Sequence, residues 1–255
     1  MARQSRVFYP KALLVALALS AVLGFQAHAA TVTRTATGAD GTKLGVIGSI
    51  VLIEPDIELT EMTAGGLQEP RQAWSEAARN NYPIAVKEIV TARQGVLKPD
   101  FRIPDDLDPT SRLGQILRLN RAVSMSIAQF SATGNVLATK REPFTGRPLL
   151  DWSLGEGVSV IRDATGADYA LFTYVRDSYA SAGRSALRVL AFAAGLAAGS
   201  MVDIGGGVQI GIVSLVDLRN GKVVWHGLLV SQTGDLRTIE GSRTAVQKML
   251  KDMPQ

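Results

Sequence analysis

Residues 208–232, VQIGIVSLVDLRNGKVVWHGLLVSQ, are two apolar, β-branched runs, Val208–Leu218 and Val223–Gln232, on either side of Arg219-Asn220-Gly221-Lys222. Runs of this length and composition read as buried strands. Asn-Gly between them is a strong hairpin signal, because both positions tolerate the positive φ of a type I′ turn. A second buried strand precedes the hairpin at Ala167–Asp177, ADYALFTYVRD, and a helix follows it over Thr238–Met253, opened by Thr238-Ile239-Glu240 with Val246, Met249 and Leu250 on one side.

Further toward the amino terminus, Leu44–Ile53 is apolar, β-branched and followed at once by Glu54-Pro55-Asp56, which predicts a first buried strand entering a turn. Gln72–Thr91 places Trp74, Ala77, Ala78, Ile84, Ala85 and Ile89 at helical spacing, with Pro83 expected to kink or split the helix. Val96, Phe101 and Ile103 supply one short strand in a segment of prolines and acids. Asp108-Pro109-Thr110 then opens an amphipathic helix through Leu113, Ile116, Leu117, Asn120, Val123, Ser124, Ile127 and Phe130. A second helical stretch is expected over about Leu149–Thr165. Early helices interleaved with strands, and a late hairpin, predict an α/β or α+β fold: a mixed sheet of about four to five strands with helices packed on it. Residues 44–255 form a single domain in this reading.

The first 29 residues have the order that translocation requires: Arg3, Arg6 and Lys11, then an uncharged apolar run from Ala12 to Phe25, then Ala27-His28-Ala29. Fourteen apolar residues span about 21 Å as a helix, against roughly 30 Å of hydrocarbon, so a cleaved signal peptide and a periplasmic destination are expected rather than an anchor. Residues 30–43, rich in Thr, Gly and Ala, read as a flexible leader. The chain has no cysteine, so neither disulfides nor lipid acylation of a terminal cysteine is expected. Without residues 1–29, 24 basic and 23 acidic residues remain, and the sequence pI of about 9.5 owes much to the signal peptide. The polybasic footprint of a nucleic-acid binder is missing.

Two motifs, Gly166-Ala167-Asp168-Tyr169 before a strand and Asp217-Leu218-Arg219-Asn220-Gly221 at a hairpin turn, give residues 44–252 a layout that resembles small envelope α/β domains. These include the curli-secretion lipoprotein, the activator lipoproteins of penicillin-binding proteins and the amino-terminal domain of the Tol system's propeller protein. The chain departs from those lipoproteins in lacking the acylated cysteine. The resemblance implies an envelope accessory role, and in the curli-secretion relative excursions from the domain build membrane-spanning hairpins.

Few residues invite catalysis. His226 is the one histidine beyond residue 29, and its place inside a strand beside Trp225 reads as packing. Gly205-Gly206-Gly207 leads into a strand, not the helix that a dinucleotide fingerprint needs, so no cofactor is expected. Glu54, Asp56, Glu58 and Glu61 alternate along an extended segment, and Asp100, Asp105, Asp106 and Asp108 crowd one loop. A glycan or peptidoglycan hydrolase using the first set is one alternative; the second set lacks the spacing of a calcium loop, and no metal is expected. The feature that stands out is the insertion Ser178–Gly207. Its run Val189–Val202 carries no charge and follows Arg184 and Arg188. The run reads either as a Gly/Ala-rich helix buried in the core or against a neighbouring subunit, or as a contact surface on which Arg184, Arg188, Leu190, Phe192, Leu196 and Met201 meet a membrane or a partner, with the arginines at the headgroups. The sequence thus predicts a non-enzymatic periplasmic accessory protein that binds another envelope component. Self-association into a structural homo-oligomer is the other alternative.

Overall fold

The computed structural model describes residues 30–38, 41–132, 137–141, 146, 148–197 and 207–254. The expected signal peptide, residues 1–29, lies outside them. The elements run β1 (Ala30–Thr35), β2 (Ser49–Leu52), β3 (Asp56–Met62), β4 (Gln68–Pro70), α1 (Gln72–Ala92), β5 (Val96–Leu97), α2 (Arg112–Ile127) and α3 (Ser159–Thr165). The carboxy-terminal third holds β6 (Tyr169–Ala180), α4 (Ala182–Ala197), β7 (Gln209–Asp217), β8 (Val223–Val230) and α5 (Ile239–Met249). The eight described strands form one mixed sheet, ordered β1-β8-β7-β6-β2-β5, with β3 continuing β2 along β6 and β4 pairing β3. The α/β class is as the sequence predicts, whereas the sheet is larger than four or five strands.

The extra strands have local causes. Ala30–Thr35, expected to be a flexible leader, pairs antiparallel with β8 from Ala30 opposite Val230 to Thr35 opposite Trp225. Its alternating threonines suit an edge strand better than a loop. The first strand stops before Glu54-Pro55 as expected, but the chain does not turn away there. The three residues between Leu52 and Asp56 oppose two between Leu171 and Tyr174, so the chain bulges and pairs with β6 again as β3.

Two apolar faces build three layers. On one side α1 and α5 cover Leu52, Leu59, Leu171, Leu215, Trp225 and Leu229; on the other α2 and α3 cover Val51, Ile53, Ala170, Phe172 and Val216. These side chains are essentially inaccessible, and each of the leucines, valines, Ile53 and Phe172 contributes roughly 1.5–3 kcal/mol by leaving water. Helix α1 is not split at Pro83: it runs unbroken from Gln72 to Ala92, with Ser75, Ala78, Tyr82, Ala85, Val86 and Val90 buried. Packing of that face outweighs the hydrogen bond that proline removes. Helix α2 starts later than expected, because the Ser111 hydroxyl accepts from Gly114 N at 3.1 Å while Asp108 turns back on Thr110. Thr238 caps α5 as expected, accepting from Gly241 N at 3.1 Å.

The expected helix over 149–165 is present only as α3. Before it, Leu154 N donates to Gly221 O (2.8 Å) and Val223 N to Trp152 O (2.9 Å), so the backbone of this stretch is spent on the hairpin and its leucines pack without a helix. The hairpin turn also differs from type I′. Asn220 is not in the positive-φ region; Gly221 alone is, at φ 73°, and it closes a longer loop through Gly221 N to Asp217 O.

The two motifs behind the family resemblance meet in space. Gly166 ends α3 in the left-handed conformation (φ 63°), and the Asp168 carboxylate accepts from Ser49 N (2.8 Å) and Ser49 Oγ (3.0 Å), joining the starts of β2 and β6. Those bonds hold its pKa below the usual carboxylate range. Leu218 N reaches Asp168 O, and Arg219, held in a fork by Asp217, donates to Tyr169 Oη at 2.9 Å. Both motifs therefore serve as latches of the fold.

Candidate functional site

The insertion after β6 folds as a helix on a firm base, with an exposed middle. Ser178 Oγ accepts from Val208 N (2.8 Å), which closes the two ends of the insertion on each other. Ser181 caps α4, its hydroxyl accepting from Arg184 N, and its own N–H donates to Met62 O. Arg184 Nη1 reaches Ala64 O (3.5 Å) in the β3–β4 turn. Beyond this turn the helix loses cover as far as Leu190, whereas Ala191 is half-buried and Gly195 buried. Every residue from Ser185 to Leu190 is exposed, with Leu187, Val189 and Leu190 at 43, 59 and 66 %. Six consecutive residues pass more than once around a helix of 3.6 residues per turn, so no face of this segment is buried on its own domain.

Of the residues expected at a contact surface, Arg184, Arg188 and Leu190 thus sit on α4, Arg184 at its anchored base and Leu190 in its exposed part. Phe192 and Leu196 also fall within α4, and Met201 lies outside the described residues. Two apolar residues not singled out in the sequence are exposed near the base: Leu67 in the β3–β4 turn, at 71 %, and Val208 at the return of the insertion, at 53 %. Isolated apolar residues in turns give no periodic signal, and only the contact of Arg184 with Ala64 brings that turn beside α4. Among the described residues no helix is long and apolar enough to cross a membrane.

The acidic residues are dispersed. Asp56 and Glu58 share one sheet face with Arg176, at 2.8 and 3.6 Å, and Arg121 approaches Asp56 at 3.8 Å. Glu61 pairs with Arg71. Glu54 faces away from that set and accepts from Ile103 N at 2.9 Å. Asp100 pairs with Lys87 at 2.7 Å, while Asp108 binds Thr110. The arrangement leaves no two carboxylates of the first set free to flank a scissile bond. Among the described residues no group of three or more His, Asp or Glu is placed to hold a metal ion.

His226 is fully buried. Its Nε2 lies 3.2 Å from Ser124 O and so carries the proton, while Nδ1 has no partner; burial pushes its pKa down to about 4. The neighbouring Ser124 and Ser214 hydroxyls bond each other at 2.8 Å, and among the described residues no carboxylate orients the ring. The buried polar group that the sequence does not betray is Asp177, whose Oδ2 accepts from Gln209 Nε2 at 2.9 Å. Gln209 in turn accepts from Thr233 N, so the amide is locked. Burial pushes Asp177 up to about 6, against the opposing bonds from Tyr179 and Gln209.

No protein-family model matches the chain, and no curated protein is similar to it in sequence. Among solved structures, the PelC dodecamer from Paraburkholderia phytofirmans is 13 % identical, with 87 % of this chain and 98 % of that chain covered, at a TM-score of 0.30. A point variant of that dodecamer gives the same identity and TM-score over 87 % of this chain and 96 % of that one.

Proposed function

We propose that this chain is a non-enzymatic accessory protein of the cell envelope, exported to the periplasm, which binds another envelope component, and that α4 makes its contact with the surface of the outer membrane. The observation that carries this reading is the unbroken exposure of Ser185–Leu190 on an otherwise well-packed domain. A helix with this much apolar surface and two arginines in its first half has the makeup of an interfacial element: Leu and Val enter the acyl boundary while Arg184 and Arg188 stay at the headgroups. The ion-paired carboxylates and the buried, unoriented histidine favour binding over hydrolysis.

The test is co-sedimentation of the chain from residue 30 onward with vesicles of phosphatidylethanolamine and phosphatidylglycerol. The unaltered chain is expected to pellet with the vesicles. The triple variant Leu187→Glu, Val189→Glu, Leu190→Glu is expected to lose at least about tenfold in partitioning, since each apolar side chain contributes roughly 1.5–3 kcal/mol on full burial. A chain that stays in the supernatant at every lipid concentration overturns the proposal, as does a variant that pellets equally well. If the chain instead has a mass above one protomer by light scattering, and the variant falls to one, α4 is a seam between copies.

A further inference from the structure

A cleft of about 250 Å³ opens on the opposite side of the bulge between β2 and β3, at the carboxyl ends of the parallel strands β2 and β5. Crevices outside the carboxyl ends of parallel strands are where open α/β sheets bind ligands. Its volume lies just under the roughly 300 Å³ at which drug-sized pockets begin, which suits a metabolite smaller than a nucleotide.

One wall is a single face of α1. Glu76, Arg79, Asn80 and Pro83 line the cleft at spacing i, i+3, i+4, i+7, so they stack on one side of the helix while Tyr82 and Val86 turn into the core. The facing wall is the strand-like segment Asp100-Phe101-Arg102, whose Phe101 is bridged to Ile53. Leu52 and Pro55 complete an apolar floor with Phe101 and Pro83.

The polar groups are of both signs and are unequally satisfied. Asp100 is neutralised by Lys87 and Glu54 is bonded by Ile103 N. Arg102 and Asn80 have no hydrogen-bond or ionic partner among the described residues. Arg79 spends Nη1 on Ile57 O, and no carboxylate pairs with it. Glu76 is exposed, bonded only by Gln72. Pro83 has no N–H, so the carbonyl of Arg79 lacks its regular helical donor. The cleft therefore offers unpaired donors for a carboxylate, at Arg102 and Asn80, together with an acceptor for an ammonium, at Glu76, above an apolar floor.

We infer that this cleft binds a small zwitterion of the free α-amino-acid class with an apolar side chain. The carboxylate would lie at Arg102 and Asn80, the ammonium at Glu76, and the side chain on Leu52, Pro55 and Phe101. Titration calorimetry of the purified chain tests this with three probes: L-leucine, L-leucinamide, which lacks the carboxylate, and 4-methylpentanoate, which lacks the ammonium. L-Leucine is expected to bind and each truncated probe to bind at least about tenfold more weakly, the loss of one charge-assisted pairing. Arg102→Ala and Glu76→Gln are both expected to lower leucine affinity by a similar factor. Each side chain is exposed, so neither variant should unfold the chain, which far-UV circular dichroism checks. No leucine binding at millimolar concentration overturns the inference, and so does equal binding of the three probes or unchanged affinity in both variants.

Discussion

Gly221→Ala is expected to lower the thermal midpoint on the order of 10 °C, from a loss of about 3 kcal/mol or more in a chain of this size. Two costs add. Gly221 sits at φ 73°, where an L side chain costs roughly 1–2 kcal/mol. A Cβ at this position would also be driven into the backbone of Gly155, 2.7 Å from its carbonyl carbon and overlapping its carbonyl oxygen. Overpacking of that kind costs typically 1–3 kcal/mol, and here the neighbour is main chain, not the end of a flexible side chain. Asparagine separates the two costs, since it tolerates the left-handed region but still carries a Cβ. Gly221→Asn is accordingly expected to fall by several degrees, yet less far than Gly221→Ala, in a calorimetric melt. A midpoint for Gly221→Asn within about 2 °C of the unaltered chain would show that φ alone matters there and that the approach of Gly155 does not.

Gly221 also shows what was legible in the sequence and what was not. Two apolar runs around Asn-Gly reveal the hairpin, because strand composition and turn chemistry are local. The turn type was not legible, because the loop conformation is set by Gly155 and Asp217 together, and Gly155 lies 66 positions earlier in the chain. The same division runs through the fold. Glu54-Pro55 is a sound local stop signal, yet β6 extends past it and offers a partner for β3. Leu150 and Leu154 are spaced as on a helix, but they are buried because their backbone closes onto the hairpin. Pro83 is a helix breaker that a buried face overrides.

For the site, the charge-free run after Arg188 is plain in the sequence, whereas its exposure is not: an apolar helix looks the same whether it is covered or bare. That difference resides in what packs against it. The cleft was harder still. It takes residues from the end of β2, one face of α1 and the loop after β5, and no window of sequence contains all three. Glu54 drew notice as one of a row of acids, although its neighbours Asp56 and Glu58 pair with Arg176 on the sheet face and leave it alone beside the cleft.

Among the buried titratable groups, Asp177 and His226 should oppose each other as the pH falls. Asp177 takes its proton at about 6 in the folded chain and near 3.8 when unfolded. Between those values the folded state holds more protons, so this group adds stability as the pH drops through the window. His226 titrates at about 4 when folded and near 6.5 when unfolded. Over that range the unfolded state holds more protons, so stability is lost as the pH drops. Each effect amounts to at most about 3 kcal/mol, and the two windows nearly coincide, so their sum is close to flat between pH 4 and 6.5. Asp177→Asn keeps an acceptor for Gln209 while removing the buried charge. It is expected to melt several degrees higher than the unaltered chain at pH 7.5 and then to lose most of that advantage by pH 4.5, as His226 acts unopposed. His226→Gln keeps a donor for Ser124 O and should show the reverse slope, gaining on the unaltered chain as the pH falls. Thermal melts from pH 4.5 to 7.5 on the three proteins check this. Profiles that run parallel would mean that neither burial perturbs its group, whereas crossing profiles locate the compensation in these two residues.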